Sequence, residues 1–206
     1  MNHLIFVEGV SGVGKTTTTV LLCDKLKNMG YKAVCYLEGD NNNPLDPFNG
    51  KYPPPMPLLE FYETYLQCWR NYVKNEIDTD TTLILDGTLL HHQINDLIRE
   101  YKASDEVIAN HFLQLMCVIK PLKPIIIYLS SEDIGYCLLQ ASISRKQPIP
   151  TDAKIAFWED RKRVDLYVLE RLSVESYMID IDVGWDIVIE TMMKCISIKA
   201  LHDKNS

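Results

Sequence analysis

Short runs of branched apolar residues alternate along the chain with longer segments in which apolar positions recur every three or four residues. Leu4–Val7, Ala33–Leu37, Leu83–Leu85, Ile125–Leu129 and Tyr177–Ile181 are brief, rich in Ile, Leu, Val and Tyr, and sit at or near turn signals. Such runs predict strands of a parallel sheet covered on both faces. Helical periodicity between them predicts helices over about residues 15–29, 57–75, 89–119, 131–143, 154–173 and 185–198, the third broken near Ala103 and Ser104. Gly30 stands where a helix needs a left-handed C′ residue. Ser130 and Ser131, followed by Glu132 and Asp133, read as an N-cap with an acidic first turn. Alternating strand and helix signals give an α/β class with a doubly wound sheet, in a single domain over residues 1–206.

Two stretches interrupt the rhythm. Residues 41–57 combine Asn41, Asn42, Asn43 and Gly50 with a cluster of prolines, and so long an irregular connection is usually functional or mobile. This loop and the helix after it, about residues 39–75, are expected to supply an acceptor pocket. Phe61, Tyr62, Tyr65, Trp69 and Tyr72 recur at separations of three, four and seven residues, so one helical face is aromatic. A flat ring can stack there, and the same face suits a core equally well. Gln67 and Arg70 are candidates for polar contacts to the acceptor. The second stretch, about residues 144–163, opens on Arg145, Lys146, Pro148 and Pro150 and carries Arg161, Lys162 and Arg163 further on, a basic composition that suits a small lid. A guanidinium brought over a transferring phosphoryl group offsets its equatorial charge, and Arg145 is the preferred candidate. Glu159, Asp160, Asp165 and Glu170 lie at spacings that give the other cations ordinary helix ion pairs.

The strongest chemical signal is Gly9-Val10-Ser11-Gly12-Val13-Gly14-Lys15-Thr16, which fits G-x-x-x-x-G-K-[ST] at each fixed position. A predicted strand precedes it and a helical segment with Val20, Leu21, Leu22 and Leu26 follows, the context this motif requires. Its glycines let the backbone curl so that successive N–H groups, with that of Thr17 beyond them, converge on phosphate oxygens. The helix after it turns the positive end of its dipole to the same point. Lys15 is expected to bridge the β- and γ-phosphates of ATP and the Thr16 hydroxyl to coordinate Mg²⁺. Asp86 ends an apolar strand, and ligands of doubly wound sheets bind beyond the carboxyl ends of strands. It is therefore a candidate Mg²⁺ carboxylate, with a strand-end cap as the plainer reading. The adjacent histidines His91 and His92 point about a hundred degrees apart on a helix, which argues against a shared metal ion and makes them surface or supporting groups.

Phe6-Val7-Glu8-Gly9 with the loop and Lys15-Thr16-Thr17 resembles the opening of thymidylate kinases and deoxynucleoside kinases. Tyr36-Leu37-Glu38, Leu83-Ile84-Leu85-Asp86-Gly87, Pro124–Leu129 with Ser131-Glu132-Asp133-Ile134, Tyr167–Glu170 and Met178-Ile179-Asp180 keep that superfamily's order over most of the chain. The resemblance implies a P-loop NTPase fold, a five-stranded parallel sheet in the order 2-3-1-4-5 flanked by helices, and transfer of the γ-phosphoryl group of ATP to a nucleoside or nucleoside monophosphate. It also implies that Glu38 accepts the acceptor hydroxyl's proton; Asp40 competes for that role, and a purely structural turn carboxylate is an equal alternative to either. The chain departs from the pattern at Asp86-Gly87-Thr88, where the relatives carry an arginine, and at Glu38-Gly39-Asp40, where they carry Glu-Pro. Those departures bear on the acceptor, and a non-nucleoside hydroxyl or a nucleotide-dependent switch stays open, although no Asn-Lys-x-Asp sequence supports GTP.

Composition narrows the partners. Of 206 residues 47% are hydrophobic and 24% charged, as in an ordinary globular protein, and the net charge of −7 opposes binding to a nucleic acid polymer. No run approaches the roughly 18 apolar residues of a membrane span, and the first residues lack the basic segment of a signal peptide. A cytoplasmic location follows as the expectation. Cys23, Cys35, Cys68, Cys117, Cys137 and Cys195 are irregularly spaced, which suits buried or half-buried thiols in a reducing compartment. The apolar segment Ile108–Ile119 fits either the core or the interface of a homodimer.

Overall fold

The computed structural model describes residues 4–49, 51–76 and 80–202. Gly50 of the proline-rich loop and Met1 to His3 lie outside the described residues. Five parallel strands, β1 (Leu4–Glu8), β2 (Ala33–Tyr36), β3 (Thr82–Asp86), β4 (Ile125–Ser130) and β5 (Glu175–Asp180), lie in the order β2-β3-β1-β4-β5. The helices are α1 (Lys15–Asn28), α2 (Leu58–Glu76), α3 (His91–Arg99), α4 (Asp105–Ile119), α5 (Ile134–Ser144), α6 (Asp152–Leu169) and α7 (Trp185–His202). The expected α/β class and strand order are those observed.

Strand alternation divides the core into two layers. Leu4, Phe6, Leu83, Leu85, Ile126 and Tyr128 face one side, where they meet α2, α3, α4 and α6. Ile5, Val7, Ile84, Ile125, Ile127 and Leu129 face the other, against α1, α5 and α7. Both faces are apolar because both are covered, which is why the strands read as continuous hydrophobic runs. Phe6 stacks on Trp69 at 5.8 Å, and Phe61 and Tyr65 are buried beside it, so the aromatic face of α2 belongs to the core. Ile108, Phe112, Leu115 and Ile119 of α4 are buried in the same layer, so this apolar segment packs within the chain.

Local signals explain most element ends. α1 closes with Gly30 N–H donating to Lys27 O and Tyr31 N–H to Leu26 O, the paired bonds that a left-handed C′ glycine allows. Ser104 caps α4 and Thr151 caps α6, each accepting from the backbone three residues on. The expected cap of α5 is corrected: Asp133 accepts from Tyr136 N–H at 2.7 Å, while Ser131 accepts from Asp133 N–H one step earlier. β2 ends at Tyr36, so Leu37 and Glu38 belong to the turn beyond it. The expected lid is also redrawn. Residues 145–151 form an irregular connection, but the remainder to Arg163 is α6, with Trp158 and Arg161 buried in the body of the domain. Among the cysteines, Cys117 is exposed rather than buried.

Candidate active site

The carboxyl ends of β1, β3 and β4 and the start of α1 meet in one cleft. At Gly9, φ is 140°, and an added Cβ would stand 2.5 Å from the carbonyl oxygen of Leu129. At Gly14, φ is 81° and the same atom would lie 2.1 Å from the ring of Trp185. The loop therefore lies against β4 on one side and α7 on the other, closer than any side chain permits. Gly14 is also the N-cap of α1 and no side chain caps that helix, so the first-turn amides of residues 15–17 have no partner inside it. They border a cavity of about 520 Å³ lined by Ser11, Lys15, Thr16, Thr17, Glu38 and Arg145. An uncapped helix start with converging amides suits an anion such as a phosphate chain.

Lys15 is buried, and its ammonium donates to Val10 O at 3.2 Å and lies 3.3 Å from His91 Nδ1. Burial lowers its pKa, and the carboxylates of Glu38, Asp86 and Glu8 act against that fall without cancelling it. Thr16 Oγ1 donates to Asp86 Oδ2 at 2.6 Å, and Glu38 N–H approaches the same oxygen at 3.4 Å. Asp86 Oδ1 is buried with no hydrogen-bond partner. Burial raises the Asp86 pKa, opposed by the charge of Lys15 and the hydroxyl of Thr16. An orphaned carboxylate oxygen beside a Thr hydroxyl fits a divalent cation, because a cation supplies the partner that the protein does not. Among the described residues no group of three His, Cys, Asp or Glu side chains converges to hold a metal alone. That sparse donor set suits Mg²⁺, which takes one or two protein ligands together with phosphate oxygens.

A second cavity of about 300 Å³ adjoins the first. Ser11 and Glu38 line both, and Tyr52, His92, Asn95, Arg99 and Trp158 are among those that complete the second. Glu38 Oε1 stands 3.6 Å from His91 Nε2 and 3.6 Å from His92 Nε2. Asp40, the other carboxylate proposed for proton transfer, instead closes its own turn by accepting from Leu37 N–H at 2.8 Å. The acceptor-side expectations on α2 do not converge on this cleft. Tyr62 stacks on His111 at 4.4 Å, Gln67 bonds Asn71, and Arg70 lies exposed 3.8 Å from Glu63. The physical reason is that the sheet face around Phe6 needs an aromatic cover, which α2 provides.

Two residues that sequence reasoning undervalued organise the site. Glu8 is wholly buried at the end of β1 and accepts from Leu89 N–H at 2.8 Å and His91 N–H at 3.2 Å. It thus pins the start of α3 against the phosphate loop. Burial outweighs those bonds and the Lys15 charge, so its carboxyl is pushed up to about 7. His91, treated from sequence as a surface or supporting group, is buried, with its ring stacked on Trp158 at 5.2 Å and 8°. Burial first, then Lys15, Arg161 and His92, hold its pKa well below the ordinary imidazole value. Of the basic residues expected in a lid, Arg161 is buried, donating to Leu90 O at 2.8 Å and paired with Asp165. Lys162 donates to Ser131 O, and Arg163 is paired with Asp105 and Asp160. Arg145 borders the first cavity.

No protein-family model matches the chain, and no curated protein matches it. Solved structures match over nearly the whole length. YorR from Bacillus subtilis, in complex with phosphorylated GDP, has a TM-score of 0.57 at 13% identity, covering 97% of this chain and 98% of that one. Deoxyadenosine kinase from M. mycoides, with bound dATP, has a TM-score of 0.53 at 15% identity, covering 95% and 99%. A gluconokinase from Sinorhizobium meliloti 1021 has a TM-score of 0.52 at 12% identity, covering 100% and 98%. At these identities the likeness establishes the fold alone, one shared with YorR, a deoxyadenosine kinase and a gluconokinase. No helix among the described residues is long and apolar enough to cross a membrane.

Proposed function

We propose that this chain is an ATP- and Mg²⁺-dependent phosphotransferase that moves the γ-phosphoryl group to a small molecule, with a nucleoside or nucleoside monophosphate as the first choice of acceptor. The observation that carries this reading is the meeting of two cavities at Ser11 and Glu38, one bordered by the phosphate loop and the other by α3. A donor in the first and an acceptor in the second would face each other across Glu38, the arrangement in-line transfer needs. The loop amides, Lys15 and Arg145 would hold the triphosphate, and Thr16 and Asp86 the Mg²⁺. When bound, Mg²⁺ supplies charge compensation on the phosphate oxygens. Glu38 would orient the acceptor hydroxyl and take its proton as the new oxygen–phosphorus bond forms.

A second reading, a non-nucleoside hydroxyl acceptor, is favoured by the lining of the acceptor-side cavity. Lys51, Asn95, Asp96 and Arg99 make it polar, and the aromatic face of α2 is turned away into the core. The structural neighbours include both a deoxyadenosine kinase and a gluconokinase, so the fold accommodates either acceptor class.

Calorimetric titration with Mg·ATP should show binding that Lys15→Ala weakens about 30-fold, the loss of one charged hydrogen bond of about 2 kcal/mol. An ADP-release assay over nucleosides, nucleoside monophosphates, sugar acids and other hydroxylated compounds should show stimulation by one class. Unchanged affinity in Lys15→Ala, or no stimulation across the panel, defeats the proposal.

A further inference from the structure

His91 lies between the two charged groups of the site, and its contacts select one tautomer. Its Nδ1 is 3.3 Å from Lys15 Nζ and 3.3 Å from Gly9 O, and its Nε2 is 3.6 Å from Glu38 Oε1. A lysine ammonium only donates, so the Lys15 contact is a hydrogen bond only when Nδ1 carries a lone pair. The ring proton then sits on Nε2, toward the Glu38 carboxylate. The opposite tautomer satisfies Gly9 O but sets an N–H against the ammonium and a lone pair against the carboxylate. Two unfavourable charge contacts outweigh one neutral hydrogen bond in a buried site.

The ring is held from several directions. Its plane is fixed by Trp158, its backbone N–H by Glu8 Oε2 at 3.2 Å, and its backbone carbonyl by Arg161 Nη2 at 3.3 Å. A side chain this constrained cannot follow its partners, so the partners are positioned by it.

We propose that His91 is a positioning residue that joins the two halves of the site: in the nucleotide-free chain its Nδ1 holds the Lys15 ammonium while its Nε2–H faces Glu38 and keeps that carboxylate at the junction of the two cavities. A phosphate would compete with His91 Nδ1 for the Lys15 ammonium, so nucleotide binding should weaken this hydrogen bond. The catalytic reading of Glu38 rests on the proposed phosphotransferase function, whereas the tautomer and the Lys15 contact do not.

The test uses the full chain with ¹⁵N-labelled histidine, its His91 signals assigned by His91→Phe. At neutral pH the nitrogen–proton correlation spectrum should show Nδ1 free of a proton and Nε2 protonated. The Nδ1 signal should shift in Lys15→Ala, and again when Mg·AMP-PNP is added to the wild-type chain. A protonated Nδ1, or an Nδ1 signal indifferent to Lys15→Ala, overturns the proposal. His91→Phe keeps a flat ring against Trp158 and removes both nitrogens, so it releases Lys15 in advance. It should bind Mg·AMP-PNP from equally to about tenfold more tightly than wild type. A merely structural role predicts weaker binding, and a loss above about threefold overturns the inference. If His91→Phe does not fold, the wild-type and Lys15→Ala spectra decide, with assignment by elimination from His3→Gln, His92→Gln, His111→Gln and His202→Gln. A wild-type chain that shows the stated tautomer but binds no Mg·ATP defeats the kinase reading and leaves the Lys15–His91 assignment standing.

Discussion

Thr16 and Asp86, seventy residues apart in sequence, are joined by a hydrogen bond of 2.6 Å between the Thr16 hydroxyl and Asp86 Oδ2. The bond ties the first turn of α1 to the end of β3. It also leaves the second Asp86 oxygen buried without a partner. A carboxylate with one oxygen committed to the protein and one left over has the geometry a cation would fit.

Asp86→Asn separates these two roles. The amide oxygen still accepts from Thr16, but the side chain loses its charge. Mg²⁺-dependent turnover should fall by about 100-fold, as when one preorganised electrostatic group is removed. Nucleotide affinity measured with EDTA should change far less than turnover, since the amide oxygen keeps a hydrogen bond, though a weaker one, to Thr16. Full Mg²⁺-dependent turnover in this variant would remove Asp86 from the metal site.

Glu8 gives the fold a measurable pH dependence. Its carboxyl rises from the ordinary 4.5 to about 7 in the folded chain, so the folded state keeps a proton that the unfolded state has lost. The stability it contributes is complete below 4.5 and is lost as pH rises through about 7. His91 and His111 act in the opposite sense, since neutral buried imidazoles lose their contribution as pH falls below the ordinary histidine value of 6.5. Glu8 is therefore best read as a difference. Urea unfolding of wild type and Glu8→Gln, compared from about pH 4.5 to about pH 8, should show wild type losing about 3 kcal/mol relative to the variant. A constant difference across that range rules out a buried proton on Glu8.

Arg161 is a structural cation, paired along α6 with Asp165 as the spacing of the two residues allows. It is wholly buried, pairs with Asp165, and donates to Leu90 O and Asn95 Oδ1. Arg161→Met strands the Asp165 carboxylate and should destabilise the chain by about 3–5 kcal/mol. The double variant Arg161→Met with Asp165→Leu should recover part of that loss, because it removes the stranded charge but leaves the Tyr128 hydroxyl and Leu90 O without their partners. Chemical denaturation of both variants checks this. A single variant as stable as wild type would mean that Arg161 contributes nothing to the fold.

The sheet and the phosphate loop were legible in the sequence because each is written in contiguous residues. Leu4–Val7 reads as a buried strand wherever it is met, and the spacing of Gly9, Gly14, Lys15 and Thr16 carries its own geometry. The acceptor side was not legible, for two physical reasons. A helical aromatic stripe has the same period whether it meets a ligand or a sheet, and the α2 stripe meets Phe6. His91 and His92 were judged as neighbours on a helix, but His91 is the first residue of α3, and Glu8 turns that end of the helix back onto the loop. The available signal was Glu8 itself, an acidic residue closing an otherwise apolar strand, where only a specific set of donors makes burial tolerable. Legibility failed where meaning depended on a partner far along the chain.

The same dependence governs the loop at Gly9 and Gly14. Its eight residues are contiguous in sequence, yet the surfaces that hold them in shape, the Leu129 carbonyl and the Trp185 ring, lie far beyond them along the chain. A growing chain would present the motif long before β4 and α7 exist to hold its shape. A product terminated before Trp185 would therefore carry the signature without the surface that Gly14 packs against.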